Sequence, residues 1–172
     1  MNVFDYAMKM EVDGKAFYEK LAASTSVTGL RKIFRMLAED EQKHYEIFQA
    51  LKEETPVGQM KDSGALESSE NIFSELLGKE RETLREVRAD LEGYHYAMKL
   101  ETDSALLYEG AADKEENPEV KSLLRRIAAE EYKHFTILEN IYNFFNAPNQ
   151  YLAWREFSNL DEFHNFGRKV DR

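Results

Sequence analysis

The sequence predicts an all-α protein, a four-helix bundle built from two copies of one helical hairpin. Residues 6–50 align without a gap to residues 96–140 at an offset of 90, and fifteen of those 45 pairs are identical. Apolar residues recur at i, i+3, i+4 and i+7 through both copies, as in amphipathic helices. With 172 residues, the chain is expected to form a single domain.

The first hairpin is expected over about residues 2–54, with its turn around residues 24–29. A crossover follows over about residues 55–69, because Thr55-Pro56-Val57-Gly58 and Asp62-Ser63-Gly64 interrupt the helical pattern. We interpret this segment as a connection within the bundle.

The second hairpin is expected over about residues 70–146, with a short amphipathic piece near residues 71–77 leading into its first helix. Its turn lies at Asn117-Pro118, since asparagine can cap a helix and proline fits the first helical position. Pro148 ends the last bundle helix. We expect the aromatic stretch 147–172 to form a short C-terminal helix, packed on the bundle or on a neighbouring subunit.

Composition excludes several classes of protein. The chain has no cysteine, so disulfides, thiolate catalysis and cysteine-ligated metals are excluded. A net charge of -10 without a basic stripe makes nucleic acid an unexpected partner. No segment reaches transmembrane length, and the start lacks the features of a signal peptide, so we expect a cytoplasmic protein that does not contact a membrane.

Acidic residues occupy the apolar stripes at matching positions in both copies. Glutamate lies among core residues on the first helix of each hairpin, and a Glu-x-x-His pair lies on the inward face of the second. The six duplicated residues are Glu11, Glu41, His44, Glu101, Glu131 and His134.

Burying four ionised carboxylates would cost on the order of 10 to 20 kcal/mol, comparable with the whole stability of a domain. No lysine or arginine repeats on this stripe, so two divalent cations are expected to balance the charge. Oxygen and imidazole ligands suit iron or manganese, although zinc would also bind them. A further pair, Glu92-x-x-His95, is not duplicated and is interpreted as a solvent-facing or interfacial feature.

This pattern resembles the ferritin-like di-iron carboxylate proteins, and more narrowly the rubrerythrin family. The resemblance covers about residues 2–146. It implies two iron ions bound by the six residues, with two bridging carboxylates and one ion capped by each histidine. Tyr18 and Tyr108 would donate hydrogen bonds to the metal ligands, although simple core packing explains them equally well.

The resemblance implies an oxidoreductase that oxidises Fe(II) with dioxygen or hydrogen peroxide. Rubrerythrins proper carry a cysteine-ligated iron domain, so a cysteine-free chain requires an external electron donor. Peroxidase members carry an additional glutamate where this chain has Ser104, matched by Gly14 in the first copy, which argues against efficient peroxide reduction.

Three other functions stay open. An iron-storage shell would need a large hollow assembly, and a di-iron hydroxylase would need a substrate-sized pocket. A non-catalytic bundle would hold a structural metal such as zinc. The aromatic tail also predicts a homodimer or a higher homo-oligomer.

Overall fold

A computed structural model describes residues 2–76 and 91–146. These residues form five α-helices and no strand within the described ranges: α1 Val3–Ser24, α2 Thr28–Lys52, α3 Ala65–Leu76, α4 Leu91–Lys114 and α5 Pro118–Asn146. The all-α bundle predicted from the duplicated hairpins is confirmed. The predicted C-terminal helix over 147–172 lies outside the described residues, as does the segment 77–90.

The two hairpins, α1–α2 and α4–α5, reproduce the repeat that the sequence shows. The first helix of each hairpin ends at Ser24 or Lys114, and the second begins at Thr28 or Pro118, so both boundaries keep the offset of 90. The Asn117 side chain accepts hydrogen bonds from the backbone N–H groups of residues 119 and 120, at 2.9 and 3.4 Å. This cap satisfies amide groups that the first turn of a helix leaves unpaired.

Helix α3 lies in the crossover and packs against α2 and α5. It begins at Ala65, earlier than the amphipathic piece expected near residue 71, because Ala65 is buried and its N–H donates to the Ser63 hydroxyl. A Cβ at Gly29 would lie 2.6 Å from the Ile72 side chain. Glycine at the start of α2 therefore allows the close approach of α3.

The core consists of two apolar clusters separated by a polar layer. Along α2, residues 30–38 contribute to one cluster and residues 47–48 to the other, while along α5 the order is reversed. Glu41 and His44 on α2, and Glu131 and His134 on α5, lie between the clusters. The helices therefore hold these ionisable side chains in the middle of the bundle, away from water. None of the described helices is long and apolar enough to cross a membrane.

Candidate metal centre

The structure brings all six sequence-predicted ligand residues together. One comes from α1, one from α4 and two each from α2 and α5, and every one is at most 3% exposed. The apolar stripe that carries each residue faces the core, so the helices turn these carboxylates and imidazoles inward together with their apolar neighbours. The residues are Glu11, Glu41, His44, Glu101, Glu131 and His134.

Their ligating atoms fall into two overlapping sets of four. Glu11 and His44 belong to one set and Glu101 and His134 to the other, and within each set the atoms lie within 4.8 Å of one another. Glu41 and Glu131 belong to both sets. A cluster of this kind can hold two metal ions that share two carboxylates.

One polar atom of each of the six residues points into this cluster without a hydrogen bond in the described part of the chain. His44 Nδ1 lies 2.8 Å from Glu131 Oε1, and His134 Nδ1 lies 3.0 Å from Glu41 Oε1, both close but not aligned as hydrogen bonds. Buried polar atoms are normally paired, and leaving six unpaired would be costly. Oxygen and imidazole nitrogen are suitable ligands for divalent metals, so these atoms fit a dinuclear metal centre.

Two tyrosines bind the terminal glutamates, Glu11 and Glu101, which each belong to only one ligand set. The hydroxyl of Tyr18 donates to Glu101 Oε1, and that of Tyr108 donates to Glu11 Oε1. Each bond crosses from one hairpin to the other. Burial, followed by the nearby glutamates, raises the pKa of both tyrosines well above the usual value, so both hydroxyls keep the proton that they donate.

Crowding of negative charge perturbs the protonation of the cluster. Burial, and then the neighbouring glutamates, raises the pKa of Glu41 and of Glu131 well above the ordinary value. Burial alone would lower the pKa of His44 and His134, but the surrounding carboxylates outweigh it and raise both. Without metal the cluster therefore holds protons that metal ions would displace.

Two buried acids that the sequence analysis did not single out complete the surroundings of the histidines. His44 Nε2 lies 2.8 Å from Glu130 Oε2, and His134 Nε2 lies 3.4 Å from Asp40 Oδ2. Burial raises the pKa of Asp40, yet hydrogen bonds with His134, Ser63 and Lys43 hold it well below its usual range. Each acid directs the Nδ1 atom of its histidine toward the cluster.

A signal for these two residues was present in the repeat. Asp40 and Glu130 are equivalent positions, both acidic, immediately before the duplicated glutamates of the Glu-x-x-His pairs. On a helix, however, a residue next to a core position is rotated by about 100° and is ordinarily expected to face solvent.

His95, from the unduplicated pair, is not among the residues of this cluster. His95 is exposed, and its ring packs on Tyr142 with 4.5 Å between ring centroids. Ser104, at the position of the additional glutamate of peroxidase members, is buried, and its hydroxyl lies 4.0 Å from the sulfur of Met10.

A groove between α1 and α2 has two of the candidate ligand residues in its walls. It has a volume of about 280 Å³, and Glu11 and Glu41 contribute to its walls together with Val12, Lys15, Ala16, Glu19, Gln42 and Tyr45. Lys15 donates a hydrogen bond of 2.8 Å to Gln42 across the two helices. The groove therefore lies beside one side of the cluster.

Comparison with known proteins agrees with this geometry. No curated protein and no solved structure shows significant similarity to the chain. The sequence model of the Rubrerythrin family matches residues 2–142. This match covers four of the five described helices in full and most of α5, including every residue of the cluster, and on this evidence the chain belongs to the rubrerythrin family.

Proposed function

We propose that this protein is a di-iron oxidoreductase of rubrerythrin type that oxidises Fe(II) with dioxygen or hydrogen peroxide. The observation that carries the proposal is the set of six buried polar atoms, one from each candidate ligand, that converge without hydrogen-bond partners among the described residues. Family membership supports the same assignment.

Charge supports two divalent ions. Four ionised glutamates bring four negative charges into a site where each is at most 3% exposed, and two divalent cations would neutralise them. Manganese or zinc would satisfy the same charge balance, so the choice of iron rests on the family and on the ligand types.

Each residue has a distinct role in this proposal. Glu11 with His44, and Glu101 with His134, would hold one ion each, while Glu41 and Glu131 would contact both. Iron supplies the redox chemistry when bound, one electron from each ion.

The surrounding groups of the chain position these ligands. The tyrosine hydroxyls fix one oxygen of each terminal glutamate, and Asp40 and Glu130 fix the imidazole rings. The two apolar clusters on either side exclude water from the buried layer, which strengthens every charge interaction within it.

The size of the groove beside the cluster favours a small oxidant over an organic substrate. Pockets for small organic ligands measure about 300 to 1,000 Å³, whereas the groove that has Glu11 and Glu41 in its walls measures about 280 Å³. A larger groove of about 600 Å³, also between α1 and α2, has none of the six candidate ligands in its walls. We therefore propose oxidation of iron by a small oxidant rather than hydroxylation of an organic substrate.

Electrons for repeated turnover would come from a separate donor, since the chain has no cysteine with which to ligate the additional iron centre that rubrerythrins proper carry. We further propose a cytoplasmic homodimer or higher homo-oligomer. An iron-storage shell is the alternative assembly, and size-exclusion chromatography with light scattering distinguishes a dimer from a shell.

The test is an anaerobic titration of metal-free protein with Fe(II), followed by addition of dioxygen or peroxide. Wild-type protein is expected to saturate near two irons per chain and to oxidise them faster than free Fe(II) is oxidised. Glu41→Gln should lose stoichiometric binding because Glu41 belongs to both ligand sets. Glu39→Gln, an exposed glutamate on the same helix, is the matched control and should behave like wild type.

Binding of one iron or none, or oxidation no faster than in free solution, would contradict the oxidoreductase assignment. Tight binding of zinc with no redox activity after iron loading would support the structural alternative.

A further inference from the structure

Ser63, in the crossover, bonds to two acids that flank the candidate metal centre. The Ser63 hydroxyl donates to Asp40 Oδ2, and the Ser63 backbone N–H donates to Glu130 Oε1 at 3.0 Å. Asp40 belongs to the first hairpin and Glu130 to the second. One residue outside the duplicated hairpins thus bridges equivalent acids of both copies.

These two acids are the groups that contact the histidines on the side away from the cluster. Glu130 Oε2 lies 2.8 Å from His44 Nε2, and Asp40 Oδ2 lies 3.4 Å from His134 Nε2. The partner on the far nitrogen of a histidine sets the orientation of the ring toward a metal. Whatever holds the two acids in place therefore also helps to hold both imidazoles.

The segment that carries Ser63 has its own anchor. Arg126, one turn before Glu130 on α5, donates to the backbone oxygen of Met60 at 2.8 Å and to Asp62 Oδ1 at 3.0 Å. On the other side, the Ser63 hydroxyl accepts a bond of 3.2 Å from the N–H of Ala65 at the start of α3. The position of Ser63 is thus determined by contacts outside the metal cluster.

We propose that Ser63 is a positioning residue that orients the two histidines through Asp40 and Glu130, so that the crossover couples the two halves of the metal centre. This inference rests on the proposed function only in requiring that the six candidate ligands bind metal. It assigns to the crossover a role that neither hairpin can supply.

The contacts predict an asymmetric effect of substitution. Ser63→Ala removes the hydroxyl, and with it the bond to Asp40, but keeps the backbone N–H that donates to Glu130. The loss of metal affinity should therefore be larger for the ion bound by His134 than for the ion bound by His44. Removal of a group that orients a metal ligand lowers metal affinity by about 10- to 100-fold, and Ser63 acts one step further out, so we expect about a tenfold loss for one ion.

The experiment titrates metal-free protein with Co(II), whose visible absorption reports its coordination, against a competing chelator. Ser63→Ala should lower the affinity for one of the two Co(II) ions about tenfold. Ser63→Thr, which retains a hydroxyl, should keep the wild-type affinity. Ser74→Ala, whose hydroxyl bonds only within α3 at an exposed position, is the control and should leave both affinities unchanged. Melting temperatures of the metal-free variants separate a loss of folding from a loss of orientation.

A double-mutant cycle with Asp40→Ala, which removes the acceptor of the Ser63 hydroxyl, gives the decisive result. If Ser63 acts through Asp40, adding Ser63→Ala to Asp40→Ala should weaken Co(II) binding much less than adding it to wild type. Independent, multiplicative losses, or no effect of Ser63→Ala on either ion, would overturn the role of Ser63. Wild-type protein that takes up no pair of Co(II) ions would instead overturn the metal site itself.

Discussion

Gly14 makes room for one of the shared carboxylates, and its replacement by alanine should weaken metal binding without unfolding the protein. Gly14 is buried in the middle of α1, and a Cβ there would lie 2.8 Å from Glu41 Oε2 and 3.3 Å from Glu41 Cδ. Both contacts are with the end of a flexible side chain. Alanine would therefore displace the carboxylate of Glu41 rather than the backbone.

Gly110 on α4 provides the matched control, because a Cβ there meets nothing within 4 Å. Glycine in a helix interior costs about 0.5 to 1 kcal/mol relative to alanine, so Gly110→Ala should stabilise the protein by about that amount. The same gain applies at Gly14. There it is offset by overpacking, which typically costs about 1 to 3 kcal/mol. In metal-free protein we expect the low end of this range, because Glu41 can move.

With metal bound, Glu41 cannot move without leaving the metal ions, so the full overpacking cost applies. Affinity falls by the difference between this cost and the smaller one in metal-free protein, which is at most about 2 kcal/mol or about 30-fold. Both ions should be affected, since Glu41 belongs to both ligand sets.

Thermal unfolding of the metal-free proteins and chelator competition with Fe(II) would measure the two effects separately. Gly14→Ala should stay within about 1 kcal/mol of wild type in metal-free stability yet bind metal more weakly, while Gly110→Ala should bind metal as wild type does. Equal metal affinity of all three proteins would refute the assigned position of Glu41.

Three further predictions concern the same centre. Tyr108→Phe removes the hydrogen-bond donor to Glu11. It should weaken metal binding by about 1.5 to 3 kcal/mol, the usual contribution of a hydrogen bond to a charged group. Chelator competition measures this loss, and the surface variant Tyr132→Phe should show none. Metal at 100 times its dissociation constant should add about 2.7 kcal/mol of stability for each bound ion, or about 5 to 11 °C in melting temperature per ion for a chain of this size. An unchanged melting curve would contradict metal binding to the folded state. Because burial and like charge raise the pKa of Glu41 and Glu131, the folded metal-free protein binds more protons than the unfolded chain above about pH 4.5. The stability of the metal-free protein in urea should therefore decrease as pH rises through the folded pKa values of these two glutamates, whereas metal affinity should increase. If the metal-free stability instead rose over that range, the glutamates would be ionised in the folded protein.

Local spacing was sufficient to predict the helices and to nominate the cluster. The boundaries near residues 24–28 and 114–118 follow from turn chemistry, which is a short-range property of the chain, and from the repeat, which can be read by aligning the sequence with itself. The inward direction of a residue such as Glu11 follows from its apolar neighbours on the same stripe, because a helix cannot bury those neighbours without also turning the carboxylate inward.

The contacts of the acids and of the crossover could not be predicted from local spacing. Asp40 and Glu130 lie about 100° from the inward stripe, and a residue at that angle is ordinarily solvated. Here the crossover covers them, and Ser63 bonds to both. Likewise, α3 begins at Ala65 because that residue is buried against the bundle and its N–H is bonded, and neither condition is visible in helical periodicity.

By itself, the sequence determined the number and type of the bundle helices and the six candidate ligands. The helices depend on spacing within a few turns, and the ligands stand out because the duplication repeats that spacing. The tertiary structure alone decided which atoms meet: Tyr18 reaches Glu101, His44 faces Glu130, and Glu41 and Glu131 belong to both ligand sets. All of these contacts cross between hairpins. They depend on the rotation and translation of one hairpin against the other, which the packing of the whole core sets and no local spacing encodes.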